Sequence, residues 1–363
     1  MTASWFELIG EAKKKFHELE LPSERSEQWR YTNIRNIPVA QLLESSVGKQ
    51  TWSASDGILV LQLEKAVEKK ESLLKSEFLD IQPQDKIDYM HLGFWKSGLF
   101  VLVPKGIHGR LTLEQAPSLV RNVIILKEGS SLEIFEEISG AGFNSSLTQV
   151  HVGDGASLDY QYLQNTDESS IDFSSKIITA GKDAKIKTVV GSFGSKLSRT
   201  DLIVHLHGEG ASAKNYAMFF GNGRQHIDNS ILVTHTVPNT NNVVITKGIM
   251  TDHSTSVVKG LIDISKGAKK TNSSLDSRSL ILSEHAVANS IPSLEINEHD
   301  VICKHAQATG KIDDEQLFYL MTRGVSQKEA EHLIIEGYLE PLVEQVSPAH
   351  QEKFRSIIAS RWV

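Results

Sequence analysis

Apolar and polar residues alternate through the middle of this chain in short runs, and turn signals interrupt them at a nearly constant interval. The segments VIILKEGSSLEIFEE, TQVHVGDGASLDYQYL, KIITAGKDAKIKTVV, IVHLHGEGASAKNYAM, LVTHTVPNTNNVVI and IDISKGAKKTNSSL share one plan. Each is an alternating run, a turn of Gly, Asp or Asn with a small residue, then a second alternating run. A period of two marks half-buried strands. The turn residues Gly129, Gly155, Asp183, Gly210, Asn239 and Gly267 stand 26, 28, 27, 29 and 28 residues apart. A drifting period near 27 suits stacked coils whose outer turns vary in length while the strands stay in register. The alternative is a large antiparallel sandwich of hairpins, which has no reason to keep one period through six units. Stacked coils place Gly155, Gly210 and Gly267 at equivalent corners.

The period changes to 3.6 at both ends. Trp5, Leu8, Ile9, Ala12, Phe16 and Leu19 share one face of a helix over residues 4–20, with Ser4 and Glu7 at capping-box spacing and Pro22 ending the run. A polar stretch with an aromatic centre follows, SERSEQWRYTNI, carrying Trp29 and Tyr31, and a further helix is expected from about Glu64 to Glu77. Beyond Gly310, Asp313 and Asp314 cap a helix with Leu317, Leu320 and Met321 that Gly324 stops. Ser326 and Glu329 form a second capping box ahead of Ala330, Leu333, Ile334 and Leu339. Ser347 and Pro348 open a third helix with Phe354, Ile357 and Ile358. The expected organisation is a helical or mixed region over 1–95, a β core over 96–310 and a helical region over 311–363.

Composition narrows the function more than the fold. Hydrophobic content of 40% and charged content of 23% describe an ordinary globular protein, and a net charge of −7 speaks against nucleic acid as the main partner. Every apolar run is under ten residues, so no membrane span is expected. The first residues, MTASWFELIGEAKKKF, lack the apolar core of a signal peptide, and a single cysteine excludes an internal disulfide; both fit a reducing cytoplasm. No G-x-x-x-x-G-K-[ST], G-x-S-x-G or H-E-x-x-H motif occurs, so the chain is not expected to be an enzyme.

Two groups of residues carry candidate chemistry. Fourteen histidines are present; His205 and His207 share a strand face, and His207/His235 and His226/His253 lie about one coil apart, a spacing that could stack imidazoles on adjacent coils. Solvent-facing or internally bonded histidines account for them more simply. Cys303 and His305 stand apart, because thiolate and imidazole are the ligands preferred by soft and borderline metals and by iron–sulfur clusters. At C-x-H spacing in a strand both side chains face one way. Two ligands do not close a tetrahedral site, and a lone cysteine is by itself more often a small buried hydrophobe.

The run LEINEHDVICKHAQATGKIDDEQLFYLMTRGVSQKEAEHLIIEGY resembles the C-terminal signature of the SufB/SufD family of iron–sulfur cluster assembly scaffolds, on its SufD branch, and SERSEQWRYTNI resembles the family's N-terminal stretch. Where the family often has His-Gly-Ala-Thr, this chain has His305, Ala306, Gln307 and Ala308. The resemblance implies a right-handed parallel β-helix core between N- and C-terminal helical regions, a mainly β protein. It implies a complex with SufB and the ATPase SufC, in which the end of the β-helix meets SufB. It places a nascent iron–sulfur cluster, shared with the partner, at His305 and Cys303. It places SufC on the C-terminal helices, at Asp314, Leu317, Phe318, Leu320, Arg323, Leu333 and Ile334. It leaves open a flavin on the assembled complex and a homodimer of the chain alone. A SufB paralogue would be expected to be longer and to hold more cysteines, and a secreted carbohydrate-active β-helix enzyme would need a clustered acidic calcium site that this sequence lacks.

Overall fold

A computed structural model describes residues 5–46, 48–68, 81 and 83–362. Sixteen strands, from β3 (Leu99–Val103) to β18 (Val301–Gly310), alternate between two sheets, so that even-numbered strands pair with even and odd with odd. All of these pairings are parallel, and the result is a two-sheet parallel β-solenoid of about seven turns. Two short strands, β1 (Gln50–Ala54) and β2 (Leu59–Gln62), add antiparallel to the first even and first odd strand of the solenoid and close its N-terminal end.

The sequence period is the coil. Ser131, Ser157, Lys185, Ser212, Asn241 and Asn272 stand in line on the even sheet. Two residues before each of them the backbone turns through positive φ, at Gly129, Gly155, Asp183, Gly210, Asn239 and Lys270. That conformation aims the amide of the corner residue along the solenoid axis. Gly129 donates to Asp154 O at 2.9 Å, Gly155 to Lys182 O at 2.7 Å, Asp183 to Glu209 O at 2.9 Å and Asn239 to Lys269 O at 2.8 Å. Gly155 and Gly210 are therefore equivalent corners, but Gly267 is not. The coil between Asn241 and Asn272 is longer, Lys270 takes the corner at φ 57°, and Gly267 makes a separate turn three residues earlier.

Alternation decides what each side chain meets. Inward residues such as Leu158, Ile186, Val204, Val233 and Ile262 fill the space between the sheets. The interior also holds charge, because Glu136 and Lys176 both point inward and pair at 2.7 Å with almost no exposure. The helical regions cover part of the outward face of each sheet. Helices α1 (Trp5–Glu18), α2 (Val39–Ser45) and α3 (Lys86–Gly93) contribute Phe16, Val39, Leu43, Ile87 and Met90 to a cluster that covers Leu119, Phe143 and Phe173 on the odd sheet. Ser4, the expected cap of α1, lies outside the described residues, as does most of the expected helix from Glu64 to Glu77, of which residues 64–68 are helical.

On the even sheet, α5 (Gln327–Val343) and α6 (Pro348–Ser360) bring Ile335, Leu339, Leu342, Phe354 and Ile358 onto Phe135, Leu163, Val189, Met218 and Phe220. Lys187 Nζ donates to Gln345 O at 3.0 Å and Lys247 Nζ to Tyr338 O at 2.8 Å, which pin these helices to the sheet. The intervening helix α4 (Asp314–Thr322) starts where the Asp313 carboxylate accepts the Glu315 amide at 2.8 Å, ends at Gly324 with φ 89°, and buries no residue. The Ser326/Glu329 capping box then opens α5 as the spacing predicts. The C-terminal helices thus lie along the side of the solenoid and do not cover its end. No described helix is long and apolar enough to cross a membrane.

Candidate functional site

The last coil is formed by β17 (Val287–Ile296) and β18, each hydrogen-bonded to a strand on one side only. Cys303 lies in register with Ser273, and His305 with Leu275. Both partners are buried between the sheets, so Cys303 and His305 also face inward, over the open mouth of the solenoid. The same register explains their different surroundings. Cys303 packs half-buried against the apolar interior, and burial pushes its thiol above its ordinary range, with the Lys304 backbone N–H opposing that shift. His305 is exposed. Across the mouth, Leu294 packs on the interior and Ser290 Oγ donates to Ser277 Oγ at 3.0 Å.

A polar ladder leads to this mouth from inside. Thr188 donates to Asn215 Oδ1 at 2.8 Å, Asn215 Nδ2 to Asn242 Oδ1 at 3.0 Å, and Asn242 Nδ2 to Ser273 Oγ at 3.0 Å. Ser273 is the residue one coil below Cys303. The arrangement presents one thiol and one imidazole on a common face. Both are ligand types that soft and borderline metals take, and the thiol must lose its proton to bind one. Among the described residues no three of His, Cys, Asp and Glu converge on a point that could hold a metal ion.

A second exposed surface lies on the C-terminal helices. Phe318 is 68% exposed, Tyr319 57%, Leu333 49% and Met321 42%. Arg323 lies over the Tyr319 ring at 5.1 Å and donates to its hydroxyl at 3.2 Å, and Asp314 is exposed beside the cap of α4. Leu317, Leu320 and Ile334 are half-buried. Of the residues expected here, the structure therefore brings Phe318, Arg323, Leu333 and Asp314 to the surface. Tyr319 and Met321, which the sequence reading did not single out for this surface, are exposed as well.

The sequence profile described as "SUF system FeS cluster assembly, SufBD core domain" matches residues 110–338, more than half of the chain. The chain belongs to the SufBD family. A Staphylococcus saprophyticus protein described as an iron–sulfur cluster assembly SufBD family protein is 26% identical over 370 residues, covering 98% of this chain and 79% of that protein. A protein with the same description from Staphylococcus aureus strain MRSA252 is 25% identical over the same length and coverage.

In this SufBD protein the N-terminal SERSEQWRYTNI stretch is an anchor. Thr32 Oγ1 donates to the buried Asp228 carboxylate at 2.5 Å. The Arg199 guanidinium lies over the Trp29 ring at 4.0 Å, donates to Gln28 O at 2.6 Å, and bonds Asp201 and Asp228. Lys259 adds a second cation to Asp228 at 3.1 Å. The histidines do not form the cross-coil pairs that their spacing suggested. His205 and His207 stack on one strand face at 5.3 Å and bond Thr234 and Thr236 of the next coil. His235 is buried and bonded to Thr240, and His253 stacks on His285 rather than His226.

Proposed function

We propose that this SufBD protein is a SufD-type scaffold subunit of the SUF machinery, not itself an enzyme, which pairs through the open end of its solenoid with SufB and carries the SufC ATPase on its C-terminal helices. The observation that carries this reading is the last coil. Two ten-residue strand edges and an exposed imidazole share a surface that no described element covers. A bare solenoid end of this size invites strand pairing, so a protein that keeps one is built to receive a partner there. His305 and Cys303 supply an incomplete ligand set at that junction, and the remaining ligands to a nascent cluster come from SufB. The single cysteine favours SufD over SufB, since a subunit that held the cluster alone needs more thiolates. The exposed Phe318, Tyr319, Met321 and Leu333 give an ATPase subunit an aromatic anchor of the kind that concentrates binding energy at interfaces. Assembly in this way belongs to the cytoplasm.

Co-expression with SufB and SufC, followed by anaerobic purification and iron and sulfide analysis, tests the reading. The expected result is a ternary complex that gains iron and acid-labile sulfide in near-equal amounts. A chain that purifies free of both subunits overturns it.

A further inference from the structure

Lys176 answers Glu136 inside the solenoid, and a second buried carboxylate is left over. On β9 (Ile171–Ala180), Asp172, Ser174 and Lys176 share the inward face with Ile178 and Ala180. Lys176 pairs with Glu136, and no cation among the described residues forms an ion pair with Asp172. Asn144 Nδ2 and Ser174 Oγ donate to Asp172 Oδ1 at 2.6 and 2.9 Å. The second oxygen, Oδ2, has no hydrogen-bond partner among the described residues, and Asp172 is fully buried.

The neighbouring strand repeats the pattern. β11 (Leu197–Leu206) runs beside β9 and places Ser198 in register with Asp172 and Thr200 with Ser174. Both side chains face inward and are buried, and neither hydroxyl has a partner among the described residues. Buried hydroxyls ordinarily find a partner, and one beside a carboxylate ordinarily donates to it. Here Asp172 Oδ2, Ser198 Oγ and Thr200 Oγ1 lie on adjacent strands without bonding one another. Three buried oxygens in that relation frame a position for an oxygen-bound ligand.

The donors select the ligand. All three are hard oxygens, with no imidazole or thiolate among them to draw a transition metal. One carboxylate balances a single positive charge, whereas calcium gathers about 6–8 oxygens and commonly several carboxylates. Water satisfies the hydrogen bonds but brings no charge, and a buried carboxylate without a countercharge is costly. Burial raises the Asp172 carboxyl to about 6, so it is charged above neutral pH and needs that countercharge there. We propose that Asp172 Oδ2, Ser198 Oγ and Thr200 Oγ1 form an internal site for a monovalent alkali cation, sodium or potassium. The other ionisable groups around it are Glu136 and Lys176, which neutralise each other, and Tyr160 and Tyr162, whose phenols burial and the nearby carboxylates hold protonated. The bound ion also ties two successive coils together through their side chains.

The test is thermal melting of the full chain, refolded and measured in sodium, potassium or N-methylglucamine chloride at equal ionic strength, the last cation being too large for the site. With about 200 mM salt at about pH 8 and a dissociation constant of about 5 mM, mass action raises the wild-type midpoint by about 3 °C in the favoured alkali salt over the N-methylglucamine salt. The larger of the two alkali shifts names the occupant. At about pH 4, where Asp172 is protonated, the three salts should give one midpoint. Asp172→Asn removes the charge, and Thr200→Val exchanges the hydroxyl for a methyl group of similar shape. Each should shrink the difference between salts at about pH 8 to less than about 1 °C. Asp172→Asn should melt above wild type in N-methylglucamine, with the alkali salt narrowing that gap. Thr200→Val keeps the carboxylate and decides the question if Asp172→Asn does not fold. Equal wild-type midpoints in the three salts at about pH 8 overturn the site. A shift that both variants retain places the cation elsewhere and overturns it as well.

Discussion

Replacing Lys176 with methionine should destabilise the solenoid far more than its single ion pair suggests. Lys176 Nζ lies 2.7 Å from Glu136 Oε1 and 4.2 Å over the Tyr162 ring, and neither charged side chain reaches solvent. The second carboxylate oxygen of Glu136 accepts hydrogen bonds from Tyr160 and, at 3.3 Å, from Thr148. Lys176→Met keeps most of the volume but strands a carboxylate in the interior. Breaking a buried pair by removing one partner costs about 3–5 kcal/mol. The two remaining hydroxyl donors set the cost near the lower end, about 3 kcal/mol. For a chain of 363 residues that corresponds to a fall in Tm of about 4 °C. Urea unfolding followed by circular dichroism measures it. The double variant Lys176→Met/Glu136→Gln leaves a neutral amide that both hydroxyls can still bond, and should return to within about 1 kcal/mol of wild type. A single variant that loses less than about 1 kcal/mol, or a double variant as unstable as the single, would refute the argument that the unpaired charge is the source of the loss.

Other parts of the structure make equally specific predictions. Burial raises the Asp172 carboxyl to about 6, against hydrogen bonds from Asn144 and Ser174 that favour its charged form. A carboxyl raised in this way contributes stability that is complete below about pH 4 and is lost as the pH climbs through 6, by about 3 kcal/mol. Asp172→Asn should therefore raise the melting temperature at pH 8 and leave it nearly unchanged at pH 4, and a variant less stable at pH 8 contradicts this. Asp228→Asn takes the countercharge from Arg199 and Lys259 and should cost about 2–4 kcal/mol, with faster proteolysis of the segment around Trp29 as the readout. Phe318→Asp with Leu333→Asp should weaken SufC binding by about a hundredfold, in the range of an interface hot spot. Because both side chains are exposed, melting should stay within about 1 °C of wild type.

Much of this architecture is legible in the alternation of the chain. Inward Leu158 and Ile186, and the Gly or Asp corners at 129, 155, 183 and 210, repeat because each coil must satisfy the same backbone ladder. Legibility fails where a corner is lengthened, as at Gly267, since a turn glycine looks the same whether it lies at the shared corner or three residues before it. It fails again for Glu136 and Lys176, which occupy inward positions that alternation assigns to apolar residues. Only the coordinates show that they face each other. The helix caps at Asp313 and Ser326 are local and were readable. Where those helices pack was not, because an apolar face does not say which sheet it covers. Cys303 and His305 were readable as a pair on one face. Their place at the solenoid mouth depends on their being on the last strand, a property of the whole stack.

On the proposed function, the last coil is half of a cluster-building site and His305 is its essential ligand from this chain. The most direct measurement is anaerobic cluster assembly on the ternary complex with SufB and SufC, followed by visible absorption and sulfide content. Wild-type, His305→Ala and Cys303→Ser chains are compared after gel filtration has shown that each assembles. Intact complexes are expected throughout, with the cluster lost in His305→Ala and a milder loss in Cys303→Ser, because burial favours the protonated form of the wild-type Cys303 thiol. A His305→Ala complex that builds clusters at the wild-type rate would contradict it and leave the motif with a purely structural role.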